Sequence, residues 1–431
     1  MSSSRSLSDP GLKAFLEANH LGGAGPRKTW DLDSLTLAAL YYHPDIDAAL
    51  ASWEGTQAAG RTAGELPNPE LELSPGYYSR VTSTTSPPWI DGLNLNILFE
   101  TAGKRGYRMA EAGHVSNAAK LAIASTAWQV RSRLRAALVE YSAAQKLADL
   151  LKLQQQTQQE NLSLLESQKQ NGDLSAAVVA RDRISFNNSL MAVHDADARV
   201  AVARIALAEA IGLTTAALDG VSISFDGLDA IPPVTDLAQA RRLALFHRAD
   251  VLSAVAQYAA ADSAVKLATA KQYPDIHLIP SYEYDQGQEK WKLGFSVELP
   301  VLNQHQGPVA EAKARCSEAE AKVNAAQSKA LSEVERSLAA FQSARAKAVT
   351  ANKLLSELEA QEKRLSGMLA AGGVSRQEFV STQLELASSR VSRLEAAEQM
   401  QQALGQLEAA TQSPMRWDAS IRSLSRSSKT P

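Results

Sequence analysis

Cys316 is the only cysteine in 431 residues. That excludes an intramolecular disulfide framework and any site built from several thiolates. No run of about 18 apolar residues occurs, so an α-helical membrane span is excluded too. Aromatic residues make up 6% of the chain, a composition that suits long helices packed on small side chains better than a compact globule. The charges nearly cancel: 44 Lys and Arg against 47 Asp and Glu leave a net charge of −3. Nothing in that balance argues for a nucleic-acid surface. The seven histidines, at 20, 43, 114, 194, 247, 277 and 305, form no pair at ligand spacing, which argues against a dedicated metal site. No nucleophile, acid–base pair or cofactor motif converges, so an enzyme has no support and no cofactor is expected. Residues 1–26 are polar and Gly-rich, and Leu12 to Leu16 is too short for a secretory h-region. An exported chain would then have an incomplete or misassigned start.

What is present is written twice, about 200 residues apart. Asp45 opens a helical stretch, followed by Pro67-Asn68-Pro69-Glu70-Leu71, two alternating strands, Ala110-Glu111-Ala112 and a long Ala-rich helix. Asp250 opens the same order through Tyr273-Pro274-Asp275-Ile276 and Ala310-Glu311-Ala312. Pro69 matches Pro274, Glu111 matches Glu311, Gly172 matches Gly372 and Ser175 matches Ser375. The predicted organisation is a flexible segment over 1–30, a first repeat over 31–212, a linker over 213–235, a second repeat over 236–413 and a tail over 414–431. Within the repeats, hairpins are expected at 69–100 and 275–300, and long helices at 105–170 and 309–369. Tips follow at 171–175 and 372–375, then return helices at 176–211 and 376–411.

A first helix is expected from Ser34 to Gly64, capped by Asp33 or Ser34, with Pro44 kinking it or ending a short initial helix. No proline interrupts 105–170, and Ile123, Ala127, Val130, Leu134, Ala137, Tyr141, Ala144, Ala148 and Leu151 follow a 4-3 spacing. That is a coiled-coil seam, with alanines that allow close helix approach. Leu331, Val334, Leu338 and Phe341 repeat it. Each long helix ends in a glycine suited to a left-handed cap, and Ser175 or Ser375 can cap the helix that returns. Ser375 and Glu378 have capping-box spacing.

Four segments alternate with period two, each of about ten residues, the length of a tilted strand that crosses a bilayer. Leu71, Leu73, Pro75 and Tyr77 share one face; Leu93, Leu95, Ile97 and Phe99 share another, opposite Asn94 and Asn96. Ile276, Leu278, Pro280, Tyr282 and Tyr284 follow, then Trp291, Leu293, Phe295, Val297 and Leu299. Aromatics gather at the hairpin ends, as at a membrane interface. Four strands cannot close a barrel, but three symmetric copies give twelve. A soluble sheet with one buried face is the plainer alternative.

This duplicated order resembles the TolC family of outer-membrane efflux channels over about residues 30 to 415. Phe99-Glu100-Thr101-Ala102-Gly103-Lys104-Arg105 is similar to the strand-to-helix segment of the CzcC-like, heavy-metal branch, and Leu299-Pro300-Val301-Leu302-Asn303-Gln304 with Gly307 to its counterpart. The Gly-x-x-Ser tips agree as well. The resemblance implies an α+β membrane protein: a homotrimer whose twelve strands form an outer-membrane β-barrel, four from each chain, continued by a periplasmic α-helical barrel. Its implied partners are outer-membrane lipid, a periplasmic adaptor (membrane fusion) protein and an inner-membrane RND pump, with no nucleic acid. It implies a passive exit duct for heavy-metal cations, with drugs or small organics as the alternative and a soluble coiled-coil scaffold as the reading from another class. Residues expected at the adaptor-docking tips are Gly172, Asp173, Ser175, Gly372, Gly373, Ser375 and Arg376, with Glu166 and Glu378 as pore-entrance charges. Leu93, Leu95, Ile97, Phe99, Leu293, Phe295 and Val297 are expected to face lipid. Lys104 and Arg105 are expected to snorkel or to pair with Glu100, and His43 and His247 to hold equivalent structural places.

Overall fold

The computed structural model describes residues 5–19, 29–79, 87–228, 230–232 and 236–414. The expected tail lies almost wholly outside them, as do most of the first hairpin loop and His20. The chain forms two compact units: one from residues 1–48, 124–248 and 329–431, the other from 49–123 and 249–328.

The first unit is helical. Its N-terminal part corrects the expectation of a flexible segment. Pro10–Ala18 is a helix, α1, started by Asp9, whose side chain accepts from Gly11 N, with Pro10 in the first turn. Leu12 and Leu16, four residues apart, are buried beside Leu35, Leu134 and Leu207. Arg5 donates to Tyr42 O at 2.7 Å, and the Tyr42 hydroxyl donates to Ser6 O at 2.8 Å. Thr29–Trp30, β1, pairs in parallel with Ser222–Ile223, β4. The expected linker is thus partly structured, with a 3-10 turn at Thr215–Leu218 as well.

The expected first helix is two helices, α2 at Leu32–Tyr42 and α3 at Pro44–Gly64. His43 takes an extended ψ of 124° because the following proline disfavours helical backbone there. The cap of α2 is Asp31, which exchanges bonds with Ser34, so Ser34 is the third helical residue. The second repeat breaks at the matching place: α6, Leu237–His247, ends at Arg248, again with ψ 124°, before α7, Ala249–Ala270. Arg248, not His247, is therefore the counterpart of His43. At matching positions on the two long helices the charge is reversed, Arg133 against Glu333. Asp45 pairs with Arg133 at 2.6 Å, and Arg248 with Glu333 at 2.6 Å. Burial lowers the pKa of His43, whose Nδ1 accepts from Asp45 N.

The long helices are α4, Lys104–Gln170, and α8, Gln306–Ala370; the return helices are α5, Ala176–Ile211, and α9, Arg376–Thr411. In the first unit, seam residues Val130, Leu134, Ala144 and Ala148 are buried, as are Val334, Leu338 and Phe341. Gly212 ends α5 at φ +84°, and a Cβ there would lie 2.9 Å from Tyr42 O, so the close approach of these backbones needs glycine. Buried charge ties the repeats together. Glu408 on α9 accepts from Arg131 at 3.0 Å and lies 3.2 Å from Arg135 Nε; both Glu408 and Arg135 are buried. Arg135 also donates to Gln401 O.

The second unit holds a four-stranded antiparallel sheet in the order β2-β3-β5-β6: Glu70–Tyr77, Trp89–Phe99, Ile276–Asp285 and Gln288–Val297. The two hairpins are joined edge to edge by β3 and β5, with Ile97 opposite Leu278 and Phe99 opposite Ile276.

Candidate channel site: strand faces, junction and tips

The register sorts the strands into alternating rows. Leu73, Leu93, Tyr282 and Trp291 lie side by side across all four strands, and the next row, Glu72, Asn94, Ser281 and Lys292, points to the other face. Ile97, Leu278 and Phe295 make a further apolar row, and Phe99, Ile276 and Val297 another. The apolar face is exposed: Trp291 retains 79% of its accessible surface, Phe295 69% and Leu293 61%. Leu95 and Ile97, on an inner strand, are half-buried by their neighbours. Tyr77 meets Trp89 edge-on at 5.1 Å and Tyr282 meets Trp291 in a tilted pair at 4.8 Å, both toward the hairpin loops. The opposite face is polar and internally paired. Lys292 reaches Glu283 at 2.5 Å, Lys290 reaches Asp285 at 2.7 Å, and His277 Nδ1 lies 2.9 Å from Asn96 Oδ1.

The strand-to-helix junction differs from expectation. Lys104 neither snorkels nor meets Glu100: it is buried, with Nζ 2.8 Å from Asp275. Asp275 also accepts from Thr101 N at 2.8 Å, and the Thr101 hydroxyl donates to Pro274 O at 2.6 Å. Glu100 pairs instead with Arg108 at 2.6 Å, and Arg105 donates to Gly64 O. Asp275 immediately precedes β5 and Lys104 opens α4, so one ion pair fixes the second hairpin to the first long helix of the duplicated fold. Their separation of 171 residues hid the pair from the sequence; the expected partner, Glu100, was merely close in the chain.

The tips lie in the first unit. Gly172 at φ +85° and Gly372 at φ +73° take the left-handed turn, and nothing lies within 4 Å of where a Cβ would stand on either. Ser375 caps α9, accepting from Glu378 N at 3.1 Å; Ser175 holds the cap position of α5 without a side-chain bond. The structure brings the two tips together. Arg376 bonds Glu160 on α4, and Gln168 donates to Gln377 at 3.4 Å. Glu166 is paired with Arg183 at 2.5 Å on its own hairpin. Asp173 and Gly373 sit in the exposed turns.

Residues 240–412 match the family model described as outer membrane efflux protein. That stretch is of the outer membrane efflux protein family. The rest of the chain joins it through fold. CusC, in structures of its folding and transmembrane channel formation, superposes with a TM-score of 0.72 at 17% identity over 89% of this chain and 92% of its own. The outer membrane protein VceC of Vibrio cholerae gives 0.71 at 20% identity, covering 89% and 97%. The outer membrane channel CmeC of Campylobacter jejuni gives 0.71 at 16%, covering 99% and 93%. No curated protein matches by sequence. The efflux protein has the TolC-type channel fold, and the location that goes with this family and fold is the outer membrane, with the helices in the periplasm. Residues 240–412 carry the family match, and the fold of the whole is that of the channels it superposes on. No helix among its described residues is long and apolar enough to cross a membrane; the strands carry an exposed apolar face.

Proposed function

We propose that this efflux protein is a homotrimeric exit duct for heavy-metal cations, fed by an inner-membrane RND pump through a periplasmic adaptor. The observation that carries the duct is the sheet: one exposed apolar face across four strands, a charged and self-paired face behind it. In water such a face is an aggregation liability, and so are the two sheet edges, β2 and β6. In a bilayer the apolar face meets lipid while neighbouring copies close the edges. A soluble scaffold has no use for either. Leu93, Leu95, Ile97, Phe99, Leu293, Phe295 and Val297 then face lipid, and the row containing Glu72 and Lys292 lines the lumen. The tips, including Asp173, Ser175 and Arg376, are offered to the adaptor, with Glu166 and Glu378 beside the entrance. The cation cargo rests on the similarity of residues 99–105 to the heavy-metal branch. The duct moves its cargo passively and catalyses nothing.

The test is complementation. A strain lacking its own duct, given this chain with its cognate adaptor and pump, should regain resistance to divalent metal salts and not to dyes or antibiotics. Resistance to organics alone would reassign the cargo. A detergent-free, water-soluble monomer would remove the duct itself.

A further inference from the structure

Away from sheet, junction and tips, three helices of the first unit meet at a cluster with more acid than base. Arg199 on α5 donates from Nε to Glu140 on α4 at 2.8 Å and from Nη2 to Glu398 on α9 at 2.8 Å. Two carboxyl groups, one from each repeat, thus share a single guanidinium. Arg199 is the cation that bonds Glu398 directly. Lys146 on α4 and Gln401 on α9 line the same small cleft as Glu398, and Lys146 has interactions of its own. From α8, Lys347 is engaged with Gln399 at 2.9 Å, and Arg345 with Pro232 O. Glu398 is shielded to 15% side-chain exposure, Glu140 to 34%.

We propose that Glu140, Arg199 and Glu398 form a proton-operated clasp that binds the return helix of each repeat to α4 in mildly acidic surroundings and slackens in alkaline ones. With one proton on the carboxyl pair, the cluster carries one negative and one positive charge, and the protonated carboxyl donates to the ionised one. Without it, two negative charges face one positive charge across the α4–α9 contact. The proton resides on Glu398, whose pKa is pushed up to about 7, first by burial and then by its hydrogen bond with Glu140. Glu140 is held below the ordinary range, chiefly by its bond from Arg199. A carboxyl group whose folded pKa is raised adds stability that is complete below its unfolded pKa and is lost as pH rises through the folded one. The window is therefore about pH 5 to 8, and acid tightens the clasp. This holds whatever the duct carries.

Hydrogen exchange on the purified full chain in detergent, at pH 6 and pH 8 and corrected for intrinsic exchange chemistry, reads the clasp directly. Around Glu140 and Glu398 the opening equilibrium should be roughly three- to tenfold smaller at pH 6, the upper figure being the full linkage ratio and the lower allowing for solvent screening. Glu398→Gln should remove that difference. Glu140→Gln should move the step below pH 6 by leaving Arg199 to Glu398 alone. Peptides of the β2–β3 hairpin serve as the control and should show no such step. Equal protection at both pH values in the unaltered chain would overturn the proposal, as would a step that survives either substitution.

Discussion

Replacing Phe295 by Arg, and in a separate chain its neighbour Ser296 by Arg, tests the membrane reading at two adjacent positions with opposite expectations. Phe295 lies in the row Ile97–Leu278–Phe295, and Ser296 pairs with His277 on the polar face. The apolar rows on β6 run from Trp291 through Leu293 and Phe295 to Val297. At ~3.3 Å per residue they span about 20 Å along the strand, or about 15 Å along the bilayer normal after a tilt near 40°. Phe295 then sits about 3 Å from the middle of that band, where an arginine costs about 2–4 kcal/mol per chain. A trimer carries this three times, about 6–12 kcal/mol, a large share of the stability of an ordinary domain. Phe295→Arg should fall sharply in folded yield in outer-membrane fractions, and Leu95→Arg should follow it. Ser296→Arg should insert near normally and alter conductance instead. Equal yields for Phe295→Arg and Ser296→Arg would refute the assignment of faces, and normal yield for both Phe295→Arg and Leu95→Arg would take the sheet out of lipid.

Three further outcomes are expected. Asp275→Ala leaves buried Lys104 without its counter-charge and should destabilise the chain by about 3 kcal/mol in urea unfolding, while adding Lys104→Met should restore more than half of the loss; a cycle with coupling below about 0.5 kcal/mol would demote the junction to a surface pair. Valine at Gly172 or Gly372, or charge reversal at Asp173 or Arg376, should impair efflux while trimer formation and insertion persist, and a cysteine at Ser175 or Ser375 should cross-link to the adaptor; normal transport with no cross-link would move docking elsewhere on the helices. Glu408→Ala strands the buried guanidinium of Arg135 and should lower stability by about 3–5 kcal/mol, visible as a lower urea midpoint.

The long helices and the strands were legible because each repeats one physical rule many times. Val130, Leu134, Val334 and Phe341 fall at seam spacing, and Leu93 to Ile97 alternate strictly with Asn94 and Asn96. The features missed are short or non-local. Helix α1 has two buried leucines in nine residues, too few for a periodic signal, though Asp9-Pro10 is a readable start. Its burial comes from partners such as Leu134 and Leu207, which only the folded chain supplies. At the tips, glycine turns could be read from Gly172 and Gly372, but the bond from Arg376 to Glu160 joins residues 216 apart. The Glu140–Arg199–Glu398 cluster draws on three helices, each of which looks like an ordinary solvated face by itself.

The opposed junction pairs, Asp45 with Arg133 and Arg248 with Glu333, give the two halves separate identities. Swap the partners and each exchange sets like against like: Asp45 would face Glu333, and Arg248 would face Arg133. A misfolded chain that exchanges only its long helices, α4 for α8, meets repulsion at both junctions. Duplication built the molecule from near-equal parts, and these four charges oppose one way of confusing them. A chain made of two first halves would pair at both of its own junctions, yet it would have lost the means to tell left from right.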